Sequence, residues 1–129
     1  MKVDKIIALI KERVGSNYEL PGWKSHRKMS VIPINSITEK AFIPPKDAKQ
    51  ASVSIILFEE NNQLFFLLTK RTDNVEHHKG QVSLPGGAID KNETAQNASL
   101  RETNEEIGID ALSLKSLGQL SSLYTPVSY

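Results

Sequence analysis

Between Asn92 and Ile109 the chain carries Glu93, then Arg101-Glu102-Thr103-Asn104-Glu105-Glu106-Ile107-Gly108, closing on a glycine suited to end a helix. If this stretch is helical, Glu102, Glu105 and Glu106 fall at i, i+3 and i+4 and share one face. Carboxylates that close repel one another, so something must offset them. A hard divalent ion does this well, because it takes oxygen ligands and shares its shell with water and substrate phosphates. Taken alone, such a face is an ordinary solvated surface, and an Arg101 to Glu105 pair is worth only about 0.3 to 0.5 kcal/mol. Gly87, Glu93 and Gly108 standing in fixed register with it reverse that reading.

The spacing resembles the signature of the Nudix hydrolase family, G-x5-E-x7-R-E-U-x-E-E-x-G-U with U aliphatic. Every fixed position is matched except Thr103, which stands where an aliphatic residue is the rule. A second stretch, Leu67-Leu68-Thr69-Lys70-Arg71 followed by His78-Lys79-Gly80-Gln81-Val82-Ser83-Leu84-Pro85-Gly86-Gly87, looks like the extra motif of the coenzyme A diphosphatase subgroup. Three residues depart from it: Thr72 stands for Ser, Glu76 where Arg is usual, and Leu84 for Phe. Glu76 reverses a charge that would favour a phosphate-rich substrate.

The residues themselves suit anionic substrates. Arg71 offers a fork of donors for phosphate oxygens, against the alternative of a strand-end arginine in solvent. His78 either donates to phosphate or holds its loop, Gln81 orients substrate or a neighbouring loop, and His77 has no spacing argument in its favour. Gly86 and Gly87 allow close backbone approach to a metal or phosphate, or form a plain tight turn after Pro85.

The resemblance implies an α/β fold, an α/β/α sandwich around a mixed sheet. It implies Mg2+ or Mn2+ held by Glu102, Glu105 and Glu106, with Glu102, then Glu105, as candidate general base and Arg101 orienting a carboxylate, pairing with Glu93. The implied reaction is hydrolysis of the diphosphate of coenzyme A or its thioesters to 3',5'-ADP and a phosphopantetheine. Two alternatives stay open: hydrolysis of another nucleoside diphosphate derivative, such as ADP-ribose, a dinucleotide or a nucleoside triphosphate, and a non-catalytic nucleotide-binding module of the same fold.

The rest of the chain sets bounds. Its 129 residues fit one domain with a moderate core, and a net charge of +1 with interspersed signs presents no basic face for nucleic acid. No cysteine is present, which excludes disulfides and thiolate metal sites. The apolar run from Ile6 to Ile10 is too short and too charged at its flanks for a signal peptide or membrane span, so the cytoplasm is the expected compartment. The expected partner is a small-molecule substrate.

Val3, Ile6, Ile7 and Ile10 predict an amphipathic helix over residues 3–14. Residues 16–50 read as irregular, broken by Pro21-Gly22, Pro33 and Pro44-Pro45, with Trp23 as a packing anchor. Residues 51–58 and 63–69 predict a β-hairpin around Glu59-Glu60-Asn61-Asn62, and their near-continuous apolar character predicts a sheet covered on both faces. A short strand over residues 81–84 leads to the Pro85-Gly86-Gly87 turn, the signature helix starts near Glu93 or Thr94, and a last strand falls within residues 115–124. Residues 1–50 are thus expected to be a helix and irregular extension, and residues 51–129 the family domain. Few residues follow Ile109, so the reading includes a domain truncated at its C-terminal side, whose exposed sheet edge would favour a homodimer.

Overall fold

The computed structural model describes residues 3–15, 19–26, 28, 43–72 and 80–125. They form an α/β chain of α1 (Val3–Val14), α2 (Trp23–His26), β1 (Ala51–Val53), β2 (Leu57–Glu60), β3 (Gln63–Phe66), β4 (Thr69–Lys70), β5 (Val82–Ser83), β6 (Gly86–Ala88), α3 (Ala95–Ile107) and a short 3₁₀ helix, Ala111–Ser113. The chain divides into two units, one built on Lys49–Ser116 and the other on Asp4–Ala48 with Leu117–Tyr129. No helix among the described residues is long and apolar enough to cross a membrane.

In the first unit the strands pair antiparallel as three two-stranded ladders: β1 with β6, β2 with β3, and β4 with β5. The hairpin is shorter than its apolar run predicts. β2 and β3 turn at Asn61 and Asn62, both in the left-handed region at φ 50° and 61°, the backbone of a two-residue hairpin turn whose twist matches the strands. Residues 51–53 leave the hairpin and pair with β6 instead, Ser52 opposite Gly87 and Val53 opposite Gly86. The expected Pro85-Gly86-Gly87 turn is therefore partly a strand. The reason is steric: a Cβ on Gly86 would lie 2.6 Å from the Val53 Cα, so only glycine lets these backbones meet.

Coverage of the sheet on both faces is also corrected. Val53, Ile55, Phe58, Phe66 and Leu68 are exposed: among the described residues α3 packs on β1 and β6, while β2–β3 and β4–β5 pack mainly within their own pairs. The buried residues gather elsewhere. α3 packs against β1 and β6, with Ala98 and Thr103 fully buried, and Pro85 is fully buried as well.

In the second unit α1 spans the residues that its periodicity predicts, with Asp4 in its first turn and Lys11 and Arg13 in its last, each complementing the helix dipole. A one-turn helix, α2, interrupts the irregular region, its Ser25 and His26 amides donating to the Gly22 carbonyl. The side chain of Trp23 lies outside the described residues. The strand expected within residues 115–124 does not form among those described. A strand needs a ladder for its backbone groups, and here the segment finds other partners: Gly118 lies against Val14 at the end of α1, and the Ser121 hydroxyl accepts from the Gly22 amide at 3.1 Å.

Candidate active site

The site is organised by how α3 begins and ends. Thr94 caps it, its hydroxyl accepting from the Asn97 amide at 3.1 Å. Gly108 closes it at φ 71°, donating to the Asn104 carbonyl. Just before the cap, Asn92 turns the chain at φ 68°, and the Glu93 amide donates to the Asp90 carbonyl at 3.1 Å. The Glu93 carboxylate closes that turn by accepting from the Asp90 amide at 3.1 Å.

Glu93 thereby faces Arg101, two turns along the helix. The Arg101 Nε donates to Glu93 Oε1 at 3.1 Å and its Nη2 to Glu93 Oε2 at 3.0 Å, a bidentate grip. Nη2 also donates to the Ala88 carbonyl at 3.0 Å and lies 3.8 Å from the Asp90 carboxylate. On the other edge of the guanidinium, Nη1 donates to Glu102 Oε1 at 2.8 Å and to Glu105 Oε2 at 3.3 Å. Hydrogen bonds from Arg101, then from the Asp90 amide, hold the Glu93 carboxyl below its ordinary range. The same carboxylates, Glu93 first and Glu102 next, raise the Arg101 guanidinium further, so it stays cationic throughout.

The glycine strand is fitted to this helix. Gly86 donates its amide to Glu106 Oε2 at 3.2 Å, and a Cβ on Gly87 would lie 2.5 Å from the Glu102 carboxylate. The absence of side chains at Gly86 and Gly87 is thus what admits the carboxylates of Glu106 and Glu102 to the backbone. Thr103, at the position where the signature asks for an aliphatic residue, is fully buried with its hydroxyl 2.7 Å from the Ser99 carbonyl and 3.1 Å from the Ser54 hydroxyl.

Glu102, Glu105 and Glu106 lie on α3 at the expected spacing, yet their carboxylates serve different partners, the first two Arg101 and the third Gly86. Among the described residues no group of three His, Cys, Asp or Glu side chains stands close enough to hold a metal ion. The donor chemistry nonetheless fits a hard divalent cation: three carboxylates with oxygen donors only, two of them already gathered by one positive group. Arg71 and Gln81 meet at the end of the β4–β5 ladder, where the Arg71 amide donates to the Gln81 carbonyl at 2.9 Å, and both residues are exposed. His78, with His77 and Glu76, lies outside the described residues.

The site also draws on Ser54, Asp90 and the Ala88 carbonyl, which the two motifs do not mark. Asp90 and Ala88 offered no signal in spacing. Ser54 did, since Ser52 and Ser54 alternate with Val53 and Ile55, and it is the serines that are half-buried while the aliphatic residues are exposed.

Residues 48–129 match the family model described as the NUDIX domain. The chain is 38% identical over 98 residues to Nudix hydrolase 3 of Caenorhabditis elegans, a match covering 75% of this chain and 40% of that protein. It is 35% identical over 97 residues to the chloroplastic Nudix hydrolase 22 of Arabidopsis thaliana, covering 71% of this chain and 31% of the relative. With the uncharacterized Nudix hydrolase NudL of Klebsiella aerogenes it shares 38% identity over 78 residues, 60% of this chain and 64% of the other. The matched part therefore spans 31 to 64% of the length of these relatives. No solved structure matches the chain.

Proposed function

Because this chain belongs to the Nudix family, its domain model covering residues 48–129, we propose that it hydrolyses a diphosphate bond in a nucleoside diphosphate derivative, with coenzyme A or a thioester of it as the substrate. The products are 3',5'-ADP and the corresponding phosphopantetheine. The observation that carries the reaction class is the fit of α3 to the glycine strand: Glu102 lies against Gly87, Glu106 against the Gly86 amide, and Arg101 joins Glu102 and Glu105.

Glu102, Glu105 and Glu106 would hold Mg2+ or Mn2+, which when bound neutralises pyrophosphate charge and lowers the pKa of a coordinated water. Arg101 orients Glu102 and Glu105 and is itself fixed by Glu93 and the Ala88 carbonyl, so it acts as a positioning group. Glu102 is the candidate proton acceptor, and Glu105 the next: Glu102 is largely enclosed while Glu105 is more than half exposed, at 17% and 57% of their side-chain surfaces. Arg71, His78 and Gln81 are proposed to recognise the substrate, with the Gly86 and Gly87 backbone admitting its phosphates.

The substrate choice rests on the second motif, residues 67–87, read from the sequence. Glu76 within it favours a second reading, hydrolysis of ADP-ribose, a dinucleotide or a nucleoside triphosphate. Product analysis of this chain with coenzyme A, ADP-ribose and a nucleoside triphosphate, each with and without Mg2+ or Mn2+, decides between them. Metal-dependent release of 3',5'-ADP from coenzyme A is the expected result. Turnover of ADP-ribose or of the nucleoside triphosphate but not of coenzyme A would select the second reading, and metal-independent binding with no turnover would make the chain a nucleotide-binding module.

A further inference from the structure

We propose that Ser54 and Thr103 are a positioning pair that sets the α3 carboxylates over the Gly86-Gly87 strand. The inference rests on Glu102, Glu105 and Glu106 being the working carboxylates.

Thr103 is fully buried and polar at a position the family pattern reserves for an aliphatic residue. A buried hydroxyl must be satisfied, and its bond back to the Ser99 carbonyl, four residues earlier, suffices for its one proton. Ser54 is therefore not required to satisfy it. Instead the Ser54 hydroxyl stands 3.1 Å from the Thr103 hydroxyl and 3.3 Å from the Ser99 carbonyl, closing a three-oxygen cluster that links residue 54 to the helix. The backbone of the same serine reaches the other side of the site: its amide donates to the Pro85 carbonyl at 2.8 Å.

Pro85 is followed by Gly86, whose amide holds Glu106, and by Gly87, on which Glu102 rests. One residue thus grips both the helix turn that carries the carboxylates and the strand they lean on. An aliphatic side chain at position 103 would fill the space but offer no directional contact to fix how far α3 slides along β1. The inverted alternation of residues 52–55, Ser52 and Ser54 half-buried and Val53 and Ile55 exposed, fits a face chosen for hydrogen bonding to the helix over apolar burial.

The test uses Ser54→Ala, Thr103→Val, their combination and Thr103→Ser. Two readouts need no substrate: exchange of the Gly86 amide by NMR in the metal-free chain, with the Leu67 amide of the hairpin ladder as internal reference, and Mn2+ affinity by electron paramagnetic resonance. Each of the first two variants is expected to speed Gly86 exchange and weaken Mn2+ binding about three- to tenfold, the loss of one hydrogen bond, with Leu67 unchanged. The double variant is expected to be no worse than the weaker single variant, because both remove one shared contact, and Thr103→Ser is expected to stay near the parent. Lower melting temperatures with unchanged Gly86 exchange and Mn2+ affinity would reduce the pair to packing and overturn the proposal. A parent chain that binds Mn2+ but hydrolyses nothing would defeat the activity proposed above and leave this inference standing. If the parent binds no Mn2+, the metal assignment fails and Gly86 exchange alone decides.

Discussion

Two strand pairs of this chain are made from opposite materials and end in opposite surroundings. β1 and β6 contribute Ala, Ser, Val, Gly and Gly-Ala, small residues that make little apolar surface, yet they lie under α3 beside the fully buried Thr103 and Ala98. β2 and β3 bring Leu57, Phe58, Leu64, Phe65 and Phe66, yet Phe58, Phe65 and Phe66 are exposed. Burial here follows closeness of approach more than hydrophobicity. Small side chains let a charged helix settle on a backbone and exchange directional contacts with it. The hairpin is instead defined locally, by its turn, its ladder and the stacked rings of Phe58 and Phe65 at 5.6 Å.

If that contrast holds, the greatest loss of function comes from α3 with little cost to the fold. Glu106→Gln keeps an oxygen to accept from the Gly86 amide, so its melting temperature is expected to stay near that of the parent. It removes the charge, and metal-dependent hydrolysis is expected to fall at least about a hundredfold. Steady-state rates with and without Mg2+ check this, and undiminished rates would take Glu106 out of the site.

The glycine strand is expected to fail next, through stability. On Gly86 a Cβ would meet the backbone of β1, which cannot step aside, and φ is 156°; Gly86→Ala should cost about 2 to 4 kcal/mol. On Gly87 the obstacle is the Glu102 carboxylate, the free end of a side chain, at 2.5 Å. Gly87→Ala should cost no more than about 1 to 2 kcal/mol while disturbing Glu102, so activity drops more than stability does. Denaturant melts of the two variants compare them, and equal costs would mean that the contact of β1 with Gly86 yields as readily as the Glu102 side chain does.

The ion pairs at the start of α3 give a smaller, pH-dependent contribution. The folded pKa of Glu93 lies below its ordinary value of 4.5, so the group binds its proton less readily when folded. Its stabilisation is therefore complete above 4.5 and is lost as pH falls through the lower folded value. Glu93→Gln should melt below the parent at neutral pH, and the gap should close on acidification past that range. A gap that is constant from neutral to acid pH would show that Glu93 acts through its shape alone.

How much of this was legible depended on the kind of interaction involved. The span of α1 follows from the periodicity of Val3, Ile6, Ile7 and Ile10, and the end of α3 from Gly108, because helix periodicity and caps are local properties. The face shared by Glu102, Glu105 and Glu106 was readable for the same reason. The pairing of β1 was not, because residues 51–58 look like one apolar strand and only Gly86 and Gly87, far along the chain, decide that the first part turns away to them. The Arg101 to Glu105 contact was readable as an i, i+4 pair, but spacing could not reveal that Arg101 would also reach the Ala88 carbonyl, or that Ser54 would stand against the Thr103 hydroxyl. Those are contacts between distant segments, set by which backbones come closest.

The hairpin supplies the mildest way to sharpen the comparison. Its turn places Asn61 and Asn62 at φ 50° and 61°, where a side chain beyond Cβ is a burden that asparagine tolerates better than most residues and glycine does not carry at all. Asn-Gly is the favoured pair for this turn, so Asn62→Gly relieves strain in the folded chain while adding freedom to the unfolded one. The two effects oppose, and the left-handed backbone of the site decides the sign: a net gain of a few tenths of a kcal/mol, up to about 0.5 kcal/mol, is expected. Because β2 and β3 share little packing with α3, that gain should appear in the exchange of hairpin amides such as Leu67 and leave Gly86 untouched. Protection rising equally at both amides would mean that the hairpin and the site unfold as one cooperative piece, and that the two regions differ in composition but not in stability.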